Sequence, residues 1–329
     1  MEWTRRNLFP LALLAAVLPA AGCSDGGSGG ADDRIRQTSA DRAGSLAGLY
    51  AQARSARSAD PRFAAFEQHH LAHRALLLSG ASNPATADPA IPAVDQSGDP
   101  SSAAASASAH PGSLPSSQPS AGAIPPTAAS LVAAERSAST AAGPDLTAAS
   151  GKLAGLLADI AACRAVHCAA LDSATAQIQA TAAAAPQISL PTQDDVAAAQ
   201  TILSAEHAAV YAYGALTPHL RGTQRDEAHG LYELHRQLRD DLETGIAAHG
   251  ATPAAMVAAY AFPEQPTDPA NAAALAGYVE TRVAAVCANA VAAATAAGRP
   301  YAAWSVVNAS LRAYAWGRPP VAFPATFSA

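Results

Sequence analysis

Apolar residues recur at steps of three and four along several long segments, and ionisable side chains occupy the same stripes. Phe63, Phe66, His70, His73 and Leu77 form one such stripe, and Leu153, Leu157, Ile160, Arg164, His167 and Leu171 another. A third runs through Val196, Leu203, Glu206, Val210 and Tyr213. That period places each set on one face of an α-helix, so the charged groups point inward together with the leucines. A buried ionisable group costs several kcal/mol unless it is paired or bound to an ion, so the chain must bring several helices together with matching polar partners. Composition agrees: 50% of residues are hydrophobic but only 5% aromatic, with alanine dominating, which favours close-packed helices over strands. The expected fold class is all-α.

Helix signals divide the chain into two sets of four. Arg34 to Arg57, Pro61 to Leu78, Ala128 to Ala142 and Asp145 to Ala180 form the first set, within 34–180. Asp194 to Leu216, Thr223 to His249, Pro269 to Ala297 and Pro300 to Trp316 form the second, within 193–329, with Gly250 and Gly298 as stops. The first set is interrupted at 80–127 by a Pro/Ser/Ala tract with almost nothing to bury, which reads as a disordered insertion. The closing WGRPPVAFP cannot continue a helix, so Phe323 is expected to fold back onto the bundle.

The first 23 residues read as an export signal. Arg5 and Arg6 precede an apolar run from Leu8 to Ala21, in a twin-arginine pattern, and Ala20-Ala21-Gly22-Cys23 resembles a lipobox, followed by a flexible tether over 24–33. Cys23 is therefore the expected lipidation site, leaving the protein on the outer face of the cytoplasmic membrane. Cys163, Cys168 and Cys287 would then be buried free thiols. A net charge of -6, with Lys152 the one lysine, argues against nucleic acid as a partner. The membrane, through the lipid, is the expected partner, and a protein partner or a second copy is compatible with the surface.

The two sets read as copies: SADR at 39–42 aligns with SAEH at 204–207, and FEQHHLAHRAL at 66–76 with YELHRQLRDDL at 232–242. A carboxylate on one helix, Glu-x-x-His on the next, a carboxylate on the third and Glu-x-x-His on the fourth is the arrangement that holds two iron or manganese ions in a four-helix bundle. The first set offers Asp41, Glu67 with His70, Glu135, and His167, but Arg164 stands where a glutamate ligand belongs. A fixed positive charge there competes with a cation for the carboxylates. The favoured reading is thus an ion-pair seam, formed by Arg164 in the first set and by Glu206, Glu233, Arg236, Glu280 and Arg312 in the second, with no cofactor. A di-iron or di-manganese site in the first set is the alternative. His207, His229, His235 and His249 read as surface or hydrogen-bonded core histidines.

SAEHAAVYAYGAL, YELHRQLRDDLETGIAAHGATPAAMVAAYAFP, TDPANAAALAGYVETRVAAV and the final WGRPPVAFP together resemble an uncharacterised ferritin-like family of alanine-rich actinobacterial proteins over roughly 193–329. The resemblance implies a ferritin-like four-helix bundle, two in tandem if the copies are real. It implies no activity, since that fold hosts storage, oxidase and non-metal functions. The expectation is a tethered, non-enzymatic binding or scaffolding module, with a di-metal oxidoreductase as the alternative.

Overall fold

The structure, a computed structural model, describes residues 28–56, 60–81, 125–172 and 185–326. Among these the chain is all-helical, as expected. The helices are α1 (Ser28–Arg54), α2 (Arg62–Leu78), α3 (Ala128–Ala148), α4 (Gly151–Leu171), α5 (Gln193–Leu216), α6 (Gly222–Ala248), α7 (Pro269–Ala293) and α8 (Arg299–Ala315), with a 3-10 turn at Thr217–His219. The expected export signal with Cys23, and all but the edges of the expected insertion, lie outside the described residues.

Local chemistry sets the helix ends. Thr127 and Ser130 form a capping box at the start of α3, Thr192 and Asp195 do so for α5, and Asp268 caps α7 ahead of Pro269. Several boundaries differ from expectation; α4 starts at Gly151 instead of Asp145, and its expected extension over 173–180 lies outside the described residues. α1 starts at Ser28, so residues 28–33, expected within the tether, are helical, and Asp32 accepts a hydrogen bond from the Ser150 N–H at 2.9 Å. α3 runs through Pro144 to Ala148 instead of ending at Ala142. The exposed carbonyls at its end find a cation: the buried Arg299 guanidinium donates to the carbonyls of Leu146, Thr147 and Ala149, the last at 2.7 Å.

α1 packs chiefly on α2 and α3 on α4; α5 packs on α6 and α7, and α7 on α8. The sets are joined by α4, which lies against α7 and α8 and buries every residue from Leu153 to Ile160. A helix buried on all sides is apolar all round, and α4 is long and apolar enough to cross a membrane although most of it is enclosed in the fold. Gly151 and Gly155 permit the crossing. A Cβ on Gly151 would lie 2.2 Å from the Ala292 carbonyl oxygen, and one on Gly155 would lie 3.0 Å from that of Ala288. One hydrophobic core runs through both sets, from Leu77 and Leu153 to Val283 and Val306, beside a smaller cluster of Tyr50, Phe63, Phe66 and Leu131.

The C-terminal segment adds a second link. Gly317, in the left-handed region at φ 90°, turns the chain out of α8. Beyond it Arg318 lies against Gly277 of α7, and the tail then crosses onto the first set. The Ala322 carbonyl is 2.5 Å from Nε2 of His73, the Phe323 ring packs on His73 with centroids 5.1 Å apart, and Asp159 accepts from the Ala325 N–H at 2.7 Å and the Thr326 hydroxyl at 3.0 Å.

Candidate functional site

Each helix set contains a buried polar seam centred on one glutamate. In the first, Glu135 of α3 is fully buried and its Oε1 accepts from Tyr50 Oη of α1 at 3.0 Å, His70 Nε2 of α2 at 2.8 Å and His167 Nδ1 of α4 at 2.8 Å. In the second, Glu280 of α7 accepts through Oε1 from Tyr213 Oη of α5 at 2.8 Å and His235 Nε2 of α6 at 3.0 Å, and through Oε2 from Arg312 Nε of α8 at 2.9 Å. The aromatic supports match as well. Tyr50 stacks on His70 with centroids 5.4 Å apart and planes at 24°, and Tyr213 on His235 at 5.2 Å and 27°. The fourth-helix partner follows its glutamate by 32 residues in both seams. The seams share one plan: tyrosine, histidine and glutamate from the first three helices, closed by His167 in one and Arg312 in the other.

This geometry corrects several sequence-based assignments. Of the five proposed metal ligands, His70, Glu135 and His167 converge, whereas Asp41 is exposed and bonded to Gln37 on its own helix, and Glu67 pairs with Arg54 at 3.1 Å. Ala40, Ala43 and Ala47 occupy the inward face of α1, which turns Asp41 outward. Glu233 and Arg236 are not in the second seam; they form an exposed i,i+3 pair at 3.1 Å. The stripe Leu231, Leu234, Leu238 and Leu242 sets the buried face of α6, and His235 belongs to it. Arg164 is buried as expected, but it donates to the Ala138 carbonyl at 3.4 Å and makes no hydrogen bond to a carboxylate among the described residues. Glu206, Glu280 and Arg312 lie in the second seam as expected, with Glu206 Oε2 accepting from His235 Nδ1 at 2.6 Å. His207 is a buried histidine bonded to the Ala254 carbonyl at 3.0 Å, and His229 and His249 are exposed. Cys163, Cys168 and Cys287 are buried and form no disulfide among the described residues.

The electrostatics follow from burial and pairing. Burial opposes charge on His235, but Glu206 and Glu280 flank both ring nitrogens and raise its pKa to about 9. Burial likewise opposes the Glu280 carboxylate, which Arg312 and His235 nevertheless hold at about 2. The second seam is therefore a charged network at neutral pH. In the first, burial works against Glu135 but His70 and His167 keep it below the ordinary carboxylate range. Burial lowers His167 and takes His69 down to about 4, so these rings are neutral.

A carboxylate-bridged pair of ions does not fit the first seam. One glutamate is present where a bridged pair needs several carboxylates, and Asp41 and Glu67 face elsewhere. Glu135 Oε1 is held by three donors while its Oε2 is buried without a partner among the described residues, and ligand atoms of His70, Glu135 and His167 lie within 4.8 Å of one another. A different grouping, missed in the sequence, lies beside it: His69 Nδ1 is 3.0 Å and Cys163 Sγ 3.3 Å from His167 Nε2. Cys163 precedes His167 by one helical turn, a spacing that could have pointed to it.

Residues 198–327 match the family model described as a domain of unknown function, DUF4439. The DUF4439 region thus spans the second seam and nearly all of the second helix set. Among solved structures, the chain is similar to a conserved hypothetical protein from Mycobacterium tuberculosis, rv2844, at 30% identity over 37% of this chain and 94% of that one, with a TM-score of 0.35. Comparison with curated proteins finds no match.

Proposed function

We propose that this protein is an exported lipoprotein, tethered through Cys23 to the outer face of the membrane, whose two ferritin-like bundles serve as a non-enzymatic binding or scaffolding module. The observation that carries the reading is the occupancy of both central glutamates. Glu135 and Glu280 each accept from three side chains of the chain itself. Glu135 Oε2 is left without a partner among the described residues, but the other carboxylates that a bridged pair of ions would need in the first set, Asp41 and Glu67, face elsewhere. The second seam balances its own charge, with His235 and Arg312 facing Glu206 and Glu280. Such a network holds helices in register and needs no ion. The lipobox-like Ala20-Ala21-Gly22-Cys23 supports the tether.

Aerobic oxidation of added Fe²⁺ tests the non-enzymatic part. The full chain is expected to oxidise Fe²⁺ no faster than buffer. Accelerated oxidation that disappears in Glu135→Gln would replace this reading with the di-metal oxidoreductase.

A further inference from the structure

The second seam adds Glu206 where the first set has Ala43, and the first set adds three residues of its own that converge on one point. Next to the seam histidine of the second helix, the first set has His69 before His70, and the second has Leu234 before His235. One turn before the closing residue of the fourth helix, the first set has Cys163 and the second Asn308; the closing residue itself is His167 against Arg312. The second set builds its seam from the shared tyrosine, histidine and glutamate together with Glu206 and Arg312. His69, Cys163 and His167 are what the first set adds.

We propose that His69 Nδ1, Cys163 Sγ and His167 Nε2 form a site for one thiophilic metal ion of the Zn²⁺ type. The three donor atoms lie within 4.8 Å of one another, with His167 Nε2 at 3.0 Å from the first and 3.3 Å from the second. Tetrahedral coordination at about 2.0–2.3 Å separates its donors only slightly more than this, so small rotations open the site. The tautomer is prepared. His167 Nδ1–H donates to Glu135 Oε1 at 2.8 Å, which leaves the Nε2 lone pair facing Cys163 and His69. A ligating histidine that gives its other N–H to a carboxylate is the usual outer shell of a metal site, and Glu135 is in turn fixed by Tyr50 and His70. Glu135 is thus a positioning residue. Its charge also offsets the neighbouring Arg164 guanidinium.

Two imidazoles and a thiol select Zn²⁺ or Cu⁺ over Mg²⁺, Ca²⁺ or Mn²⁺. Binding forms the sulfur–metal bond as the Cys163 S–H bond breaks, and the proton leaves to solvent: Cys–SH + Zn²⁺ gives Cys–S–Zn⁺ + H⁺. Cys163 and His167 are fully buried and His69 is half-buried, so His69 lies at the entry side. Three protein donors leave a fourth position for an exchangeable ligand.

The site gives the binding module proposed above a ligand, and the two ideas fail separately: rapid Fe²⁺ oxidation defeats that reading, whereas the following titration tests only the triad. The full chain carrying Cys23→Ser is titrated with Co²⁺ and followed by its sulfur-to-cobalt charge-transfer and tetrahedral d–d absorption, then displaced with Zn²⁺. One equivalent of thiolate-bound Co²⁺ is expected, retained in Cys168→Ala and Cys287→Ala and lost in Cys163→Ala. His69→Ala, at a half-buried position, should keep the helical circular dichroism and weaken Co²⁺ binding at least about tenfold. Absence of the charge-transfer band, its survival in Cys163→Ala, or unchanged affinity in His69→Ala would overturn the proposal.

Discussion

Replacing Arg312 by methionine removes one charge from the second seam while keeping the length of the side chain. In the intact protein the fully buried Glu280 is held by Arg312 at 2.9 Å, His235 at 3.0 Å and Tyr213 at 2.8 Å, and Glu206 draws on His235 as well. Without the guanidinium, two buried carboxylates share one imidazolium. Breaking a buried pair by removing one partner costs about 3–5 kcal/mol, because the remaining charge is left without compensation. At about 2–4 °C per kcal/mol for a chain of this class, melting should fall by roughly 6–20 °C. Restoring the charge balance with Glu280→Gln in the Arg312→Met background should return part of the loss. The double mutant should therefore be more stable than the sum of the two single losses predicts, by at least about 1 kcal/mol. Urea denaturation at pH 6 followed by far-ultraviolet circular dichroism measures all four proteins of the cycle. A loss under about 1 kcal/mol for Arg312→Met, or strictly additive losses, would refute the view of the seam as a coupled ion network.

Other consequences are equally direct. His235 is raised from its ordinary value to about 9, so its stabilising contribution is complete below about pH 6.5 and is lost as pH rises through 9. A shift of that size corresponds to about 3 kcal/mol, visible as an alkaline limb in stability against pH that His235→Gln largely removes. Gly151→Ala places a Cβ 2.2 Å from the Ala292 carbonyl and should destabilise the protein by about 1–3 kcal/mol in thermal melts. Gly48→Ala, where a Cβ meets nothing within 4 Å, should be neutral or stabilising by up to about 1 kcal/mol. Cys23→Ser should move the protein from the membrane fraction to the soluble fraction or leave an unprocessed precursor; unchanged processing and partitioning would count against lipidation.

The helices and their buried faces were legible in the sequence because alanine and leucine stripes at helical spacing leave little choice. The residues of the seams were legible only in part. Glu135, Glu280, His70, His167, Glu206 and Arg312 sit on those stripes, but the Glu-x-x-His pattern drew attention to Glu67 and Glu233, which lie at the edge of the buried face. The alignment of FEQHHLAHRAL with YELHRQLRDDL paired His70 with Arg236, whereas burial pairs His70 with His235; the two registers differ by one residue. A one-residue slip turns a helix by about 100°, enough to exchange a core histidine for a surface arginine. Tyr213 reads as a core residue of its stripe and Tyr50 does not stand out, since nothing local marks a hydroxyl that will meet a glutamate on another helix. Long-range features were hidden for the same reason. Arg299 capping the end of α3, the tail reaching His73 and Asp159, and the seating of Gly151 against Ala292 all join residues more than a hundred positions apart.

Under the proposed reading, the chain itself holds the buried glutamates and they carry no redox metal pair. Metal content of the wild-type protein recovered from its native host, measured by mass spectrometry of the acid-digested chain, is the decisive test. Iron and manganese are expected at well under one ion per chain, with any stoichiometric metal being a single thiophilic ion that Cys163→Ala removes. Two iron or manganese ions per chain, lost together in Glu135→Gln, would contradict the account.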